Sequence, residues 1–305
     1  MEEFVQHVIN GIGLGSIYAL IAIGYTMVYG ILQLINFAHS DVYMVGAFFG
    51  YYIGRWISHS QILPVPGYPA FFLALVGAMV GCALLGMTIE RLAYRPLRNA
   101  PKLNALITAI GVSLFLEYTG QIVFGADPKV FPELLEDAEL FTSASGDIHV
   151  TNFDVTILSV SLLLLVILNY IIYKTKLGKA MRATSYNSTW ASLMGIPVDR
   201  VISFTFLLGS ALAAAGGILV GIKYPKIEPL MGVMIGLKAF VAAVLGGIGN
   251  LTGAVIGALI MGLAEQLVVG YGSSTYRDAL AFAILIVILL FRPAGLLGKF
   301  GVEKV

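Results

Sequence analysis

Residues 174–199 read KTKLGKAMRATSYNSTWASLMGIPVD, the longest polar and basic interruption in a chain that is otherwise mostly apolar. The stretch divides in two. In its first part Leu177, Ala180, Met181 and Thr184 stand at i, i+3, i+4 and i+7, one face of a helix. The second part opens with Asn187 and Ser188, residue types favoured as N-caps. Trp190, Leu193 and Met194 follow at i, i+3 and i+4. Gly195 can supply a left-handed C-terminal residue, and Pro197 stops the helix from continuing. The spacing predicts two short amphipathic helices joined by a turn. A connection between membrane spans has no need of an apolar stripe centred on Trp. Such a stripe suits docking into a groove on a partner. It equally suits a helix lying in the lipid interface, where Trp and Lys are at home. Spacing leaves both readings open.

Outward from this stretch the chain becomes membrane-like on both sides. Hydrophobic residues make up 58% and charged residues only 11%, against roughly 25% charged in soluble domains. Apolar runs of about 20 residues recur, each long enough to cross a bilayer. The net charge of +1 gives no electrostatic basis for nucleic-acid binding. A single cysteine, Cys82, excludes an internal disulfide, and the four histidines (His7, His39, His59, His149) are too scattered to suggest a metal site. The opening MEEFVQHVIN is acidic and lacks a basic n-region, which argues against a cleaved signal peptide.

Taken in order, the first span covers about Val5 to Ile31 and is rich in small residues that let membrane helices approach closely. The polar break QLINFAHSD at 33–41 carries no basic cluster, and a second apolar run, Val42 to Ile57, follows at once. The break is either a tight turn or a helix interrupted at membrane depth, the latter allowed only where protein or water surrounds it. A third span ends near Glu90 in a basic segment, and a fourth covers Ala105 to Phe124. An acidic loop at about 126–154 precedes the fifth span, Val155 to Tyr173. Beyond the opening stretch come a sixth span, Val201 to Ile222, a short segment Leu237 to Leu245 closed by Gly246, Gly247 and Gly249, then Gly253 to Val269 and Ala279 to Phe291. The expected fold is an all-α polytopic membrane protein, a single domain over 1–305 with a bundle of about eight to nine transmembrane helices. Some are short or broken, and the segment at 237–250 suits a half-helix.

Basic residues set the orientation. Twelve of the eighteen Lys and Arg fall in 91–102, 174–200 and the tail from 292, the tail contributing Arg292, Lys299 and Lys304. The positive-inside rule places these segments in the cytoplasm. The acidic loop is then extracytoplasmic, the C-terminus inside and, with nine crossings, the N-terminus outside.

Few groups carry chemistry. No G-x-x-x-x-G-K-[ST] phosphate loop occurs, nor a nucleophile elbow or zinc-protease helix, so the chain reads as a non-enzyme. Glu117 and Glu265 lie within spans, where a charge costs roughly 2.5–3.5 kcal/mol at the centre. Each serves either a translocation path or a hydrogen bond to a neighbouring helix. Asn36, His39 and Asp41 form either a polar element beside the path or its gate, or a satisfied turn. Gly246, Gly247 and Gly249 serve either a hinge, close approach of backbone to a ligand, or close helix packing.

The run GLGSIYALIAIGYTMVYGILQLINFAHSDVYMVGAF, residues 13–48, resembles the N-terminal signature of LivH-type permeases of branched-chain amino-acid ABC importers. ERLAYRPLR (90–98), LGKAMRAT (177–184), ASLMGI (191–196) and KAFVAAVLGGIGNLTGAVIGALIMGLAEQL (238–267) continue the resemblance in the same order. It departs at Ser40, where the family usually has Gly, and at Thr189-Trp190-Ala191, where many importer coupling loops begin acidic-Ala-Ala.

The resemblance implies a permease in the bacterial-type inner membrane that translocates leucine, isoleucine and valine delivered by an extracytoplasmic substrate-binding protein. It further implies two ABC ATPase subunits and a second, paralogous permease. No cofactor is expected in this chain, since ATP and Mg would be bound by the ATPase partners. It assigns Ser188, Trp190, Ala191, Leu193, Met194 and Gly195 to ATPase coupling, which decides the opening stretch in favour of docking. A same-family permease for urea, short amides or other amino acids is the near alternative. An ion-coupled secondary transporter is the distant one, though such machines need ionisable residues along the path and this chain has few.

Overall fold

The computed structural model describes residues 2–98, 100–143, 146 and 148–298, with Lys102 described by its backbone alone. Asp147, Lys299 and Lys304 lie outside the described residues. Among the described residues eleven α-helices follow one another: α1 Glu2–Leu32, α2 His39–Ser60, α3 Tyr68–Ile89, α4 Lys102–Phe124, α5 Asn152–Lys174, α6 Lys176–Tyr186, α7 Ser188–Leu193, α8 Val198–Lys223, α9 Met231–Gly246, α10 Leu251–Tyr271 and α11 Arg277–Phe291. Seven helical segments are long and apolar enough to cross a membrane: α1, α3 with its extension to Leu97, α4, α5, α8, α10 and the segment containing α11. α2 and α9 complete the bundle. At 16 residues α9 is about 24 Å long, short of the roughly 30 Å hydrocarbon core.

Several boundaries differ from those the sequence suggests. α3 does not stop at Glu90 but continues as a π-helical turn, Glu90–Tyr94, and a 3-10 turn, Arg95–Leu97. Glu90 and Tyr94 are buried with partners, so their polarity does not end the helix, and Pro96 sits in a first turn where its missing N–H costs nothing. α9 starts six residues before Leu237, because Gly232 and Gly236 give no hydrophobic signal yet press directly on Ser40 of α2. α5 starts at Asn152 with Thr151 and Asp154 in a reciprocal capping box. The acidic loop is not wholly irregular either. Strand β1, Lys129–Val130, pairs antiparallel with β4, Lys226–Ile227, and β2, Glu139–Thr142, with β3, His149–Thr151.

These contacts sort the connections onto two ends. The β1–β4 pair joins the acidic loop to the α8–α9 connection, and the Gly67 N–H donates to the Leu134 carbonyl at 2.8 Å. At the opposite end Arg95 pairs with Asp199, Ser185 donates to the Gly30 carbonyl, and the N–H groups of Leu296 and Leu297 donate to the carbonyls of Leu245 and Gly246. The basic segments therefore share one end.

α1 and α8 are buried over most of an 18-residue apolar stretch each, whereas α4 and α11 turn most of their apolar surface outward. Lipid provides no hydrophobic drive between helices, so close packing of small residues must hold them. Gly11 and Gly15 of α1 meet Gly262, Leu263 and Leu259 of α10 backbone to backbone. Gly46 of α2 meets Ala214 of α8 in the same way.

α2 does not begin at the end of the bundle. His39, its first residue, lies against Gly24 of α1 and Gly209 of α8, the latter eleven positions into that helix. Cys82, near the middle of the continuous Tyr68–Leu97 helix, contacts the Val42 carbonyl. Residues 33–38 thus turn back into the bundle, and α2 begins inside it rather than at its end. α9 begins at the same level, with Gly232 on Ser40.

Candidate functional site

Two regions gather the polar and exposed residues, one at the basic end and one at the buried break.

At the basic end α6 and α7 form the predicted helix pair. Thr175 caps α6 by accepting from the Gly178 N–H at 3.1 Å. Asn187 caps α7 by accepting from the Trp190 N–H at 2.9 Å. Gly195 has φ +81°, the left-handed conformation that ends α7. The buried face of α6 is Gly178, Met181 and Thr184, offset from the predicted stripe, so that Leu177 is exposed. In α7 Ala191 alone is buried. Ser188 is exposed, Trp190 is 64% exposed, Leu193 74% and Met194 81%. Tyr186, at the end of α6, is 93% exposed as well. This chain leaves a capped, rigid helix with its apolar face uncovered at the end where the basic residues cluster.

At the break Asn36, His39 and Asp41 are all buried. Asn36 Oδ1 accepts from the Tyr94 hydroxyl at 2.6 Å, and its carbonyl accepts from the His39 N–H. The His39 ring occupies the space that a side chain at position 24 would need, and it packs edge-on to Tyr25 at 4.9 Å. Among the described residues its Nε2 has no hydrogen-bond partner. Asp41 Oδ2 accepts from Ser113 Oγ of α4 at 2.5 Å, while Oδ1 has no protein partner. Glu117, one helical turn beyond Ser113, lies half-buried within Coulombic reach of Asp41. A buried imidazole and a buried carboxylate therefore lie near the start of α2 with a half-buried second carboxylate close by.

Glu265 sits elsewhere. Its Oε1 meets Lys238 Nζ at 3.0 Å and Arg277 Nε, and its Oε2 accepts from the Tyr18 hydroxyl at 2.9 Å. Lys238 also pairs with Asp278 at 2.7 Å. The network ties α1, α9, α10 and the start of α11 together. Gly246 packs on Gly253 across the α9–α10 turn, and Gly247, at φ +105°, lies against the backbone of Gly295 and Gly298. Gly249 also has positive φ but an open surrounding.

Sequence reasoning missed a third cluster. Glu90, fully buried, accepts from Ser203 Oγ of α8 at 2.5 Å and pairs with Arg98. Arg98 also pairs with Asp199, which accepts from Arg95 Nη2 at 2.6 Å. One signal was available: Glu90 is the lone acid beside Arg91, Arg95 and Arg98. Asp199, the second acid on Arg98, lies about a hundred residues away from it, which spacing cannot reveal.

Residues 7–289 match the family described as branched-chain amino acid transport system / permease component. The chain is 44% identical to the high-affinity branched-chain amino acid transport system permease protein LivH of Escherichia coli K12, over 99% of this chain and 98% of that one. It is 40% identical to the permease protein BraD of Pseudomonas aeruginosa, with the same coverage. It is 25% identical to the ribose import permease protein RbsC of Haemophilus influenzae, over 93% of this chain and 84% of the relative.

Proposed function

The chain belongs to the family of branched-chain amino acid transport system permease components, and on that premise we propose how it works. It is the membrane-spanning permease subunit of an ABC importer for branched-chain amino acids, an inner-membrane protein. Identity of 40–44% over nearly the full length of LivH and BraD supports that substrate class above a sugar, for which the relative stands at 25% over a smaller share of its length.

In the mechanism we propose, two ATPase subunits bind ATP and Mg and hydrolyse ATP in the cytoplasm, while this chain performs no hydrolysis itself. An extracytoplasmic binding protein delivers the solute, and a second, paralogous permease completes the path. The C-terminus is cytoplasmic and the N-terminus outside. Residues Ser188 to Gly195 form the coupling helix, with Trp190, Leu193 and Met194 filling a groove on the ATPase, Ala191 seating the helix on its own chain and Gly195 ending it. The observation that carries this reading is the uncovered apolar face of α7 at the basic end. Asn36, His39, Asp41 and Glu117 border the path or its gate, where α2 begins at membrane depth. Glu265 belongs to the frame, because both its oxygens are already engaged by Lys238, Arg277 and Tyr18. Gly246 and Gly247 provide close packing for the turn and tail beneath α9, while Gly249 supplies a positive-φ position in that turn.

The test is uptake of radiolabelled leucine into proteoliposomes holding both permeases and both ATPases, with binding protein outside and ATP within. ATP-dependent leucine uptake that unlabelled isoleucine and valine compete and urea does not is expected. Uptake driven by an ion gradient without ATP would refute the ABC reading, and competition by urea alone would refute the substrate class.

A further inference from the structure

The ion cluster at the basic end has no part in the mechanism so far, yet it lies between the two regions that mechanism uses. Four residues, 194–197, separate α7 from α8, and they are held by hydrogen bonds from the Ile196 N–H to the Ala191 carbonyl and from the Gly195 N–H to the Ser192 carbonyl. Movement of α7 must therefore move the first turn of α8. That turn carries Asp199, which grips Arg95 and Arg98 at the end of the α3 extension. Arg98 continues to Glu90, which Ser203 of α8 also holds. Between Glu90 and Arg95 the helix is π-helical, a form concentrated at functional positions because the extra residue re-aims side chains. Here it buries Tyr94, whose ring packs on Phe206 of α8 and whose hydroxyl reaches Asn36. Asn36 in turn accepts the His39 N–H at the head of α2.

We propose that Asp199, Arg98, Glu90, Tyr94 and Asn36 form a continuous relay that carries displacement of α7 to the head of α2 at the break. They are positioning residues, since none need touch the solute. The proposal rests on the reading of α7 as the ATPase-docking helix and of the break as the gate. The cluster is suited to transmission rather than mere stability for three reasons. Its members sit on three separate elements, the α3 extension, the start of α8 and the break. Arg98 bridges two carboxylates, Nη1 on Asp199 and Nη2 on Glu90, so one planar guanidinium joins the exposed acid to the buried one. It is also graded in burial, with Asp199 half-exposed near the docking face and Glu90 fully buried toward the core. Clefts of about 750 Å³ and about 540 Å³ flank α7, and Asp199 lines both, which leaves the link room to shift.

The test uses the complete reconstituted importer with binding protein and the double variant Tyr94→Phe, Asp199→Asn. These changes keep side-chain volume and avoid the buried Glu90. Three quantities are read: ATPase subunits co-purified, ATP hydrolysed, and leucine delivered per ATP. The relay predicts that the ATPases stay bound and hydrolysis continues, while leucine per ATP falls by more than about threefold, a typical effect of breaking a coupling link. A ratio within about threefold of wild type overturns the proposal. Loss of bound ATPase in the double variant also overturns it, since the cluster would then belong to docking. Trp190→Ala runs in parallel. If it retains the ATPases, the docking reading fails and the relay falls with it; if it releases them, the ratio in the double variant judges the relay alone.

Discussion

Replacing Trp190 by alanine should detach the ATPase subunits without disturbing the membrane bundle. An aromatic side chain buries about 150–250 Å² when covered. Trp190 is 64% exposed in this chain. Docking can therefore remove roughly 100–160 Å² more from water, worth about 2.5–4 kcal/mol at about 25 cal/mol per Å². Part of that gain goes to immobilising the partners, so about 2 kcal/mol, the usual level of an interface hot spot, is the defensible minimum. That corresponds to roughly a thirtyfold rise in Kd. The assay is a titration of purified ATPase subunits onto detergent-solubilised permease, for wild type, Trp190→Ala and Leu193→Ala. Trp56→Ala is the control, because Trp56 is nearly as exposed, at 57%, but lies toward the far end of α2. Both α7 variants should weaken binding and the control should not. If Trp190→Ala binds ATPase with wild-type affinity, α7 is an interfacial helix on lipid and the coupling assignment falls.

Four further outcomes are expected. With single cysteines at Thr142 and Ser188 in a Cys82→Ala background, an impermeant thiol reagent on intact spheroplasts should label position 142 only; labelling of 188 alone reverses the orientation. Asn36→Ala, His39→Ala and Asp41→Asn should each lower uptake with the ATPases still bound, and normal uptake in all three removes the gate. Glu265→Gln leaves Lys238 and Arg277 facing a neutral group and should destabilise the bundle by about 3 kcal/mol or more; a thermal-unfolding midpoint in detergent unchanged from wild type would contradict that, and Arg277→Gln should cost less because Arg277 is 36% exposed. Gly195→Val forces a branched residue to φ +81°, a strain of about 1–3 kcal/mol, and should loosen ATPase binding in the titration above while leaving the amount of membrane-inserted protein unchanged.

How far the sequence reached depended on how local the signal was. Composition and the length of the apolar runs settle an all-helical membrane protein, because a bilayer demands about 20 apolar residues per crossing wherever they occur. The N-cap of α7 and the left-handed Gly195 were legible for the same reason: a cap is a contact between residues three or four apart. Trp190, Leu193 and Met194 could be placed on one face, but whether this chain covered that face could not be read from spacing. Tertiary structure left it open. The break at 33–38 was visible as polar residues between apolar runs, yet its depth in the bundle was undecided until His39 was found against Gly24 and Gly209, the latter on a helix 170 residues away. Glu265 read as a lone charge in a span and proved to be the centre of a network with Tyr18, Lys238 and Arg277. Arg98 and Asp199 gave no sign of each other, nor Tyr94 of Asn36. Hydrophobic periodicity and capping are short-range properties that the chain writes into neighbouring residues. The pairing of a buried charge is a long-range one, decided only when packing of small residues brings distant helices to contact distance.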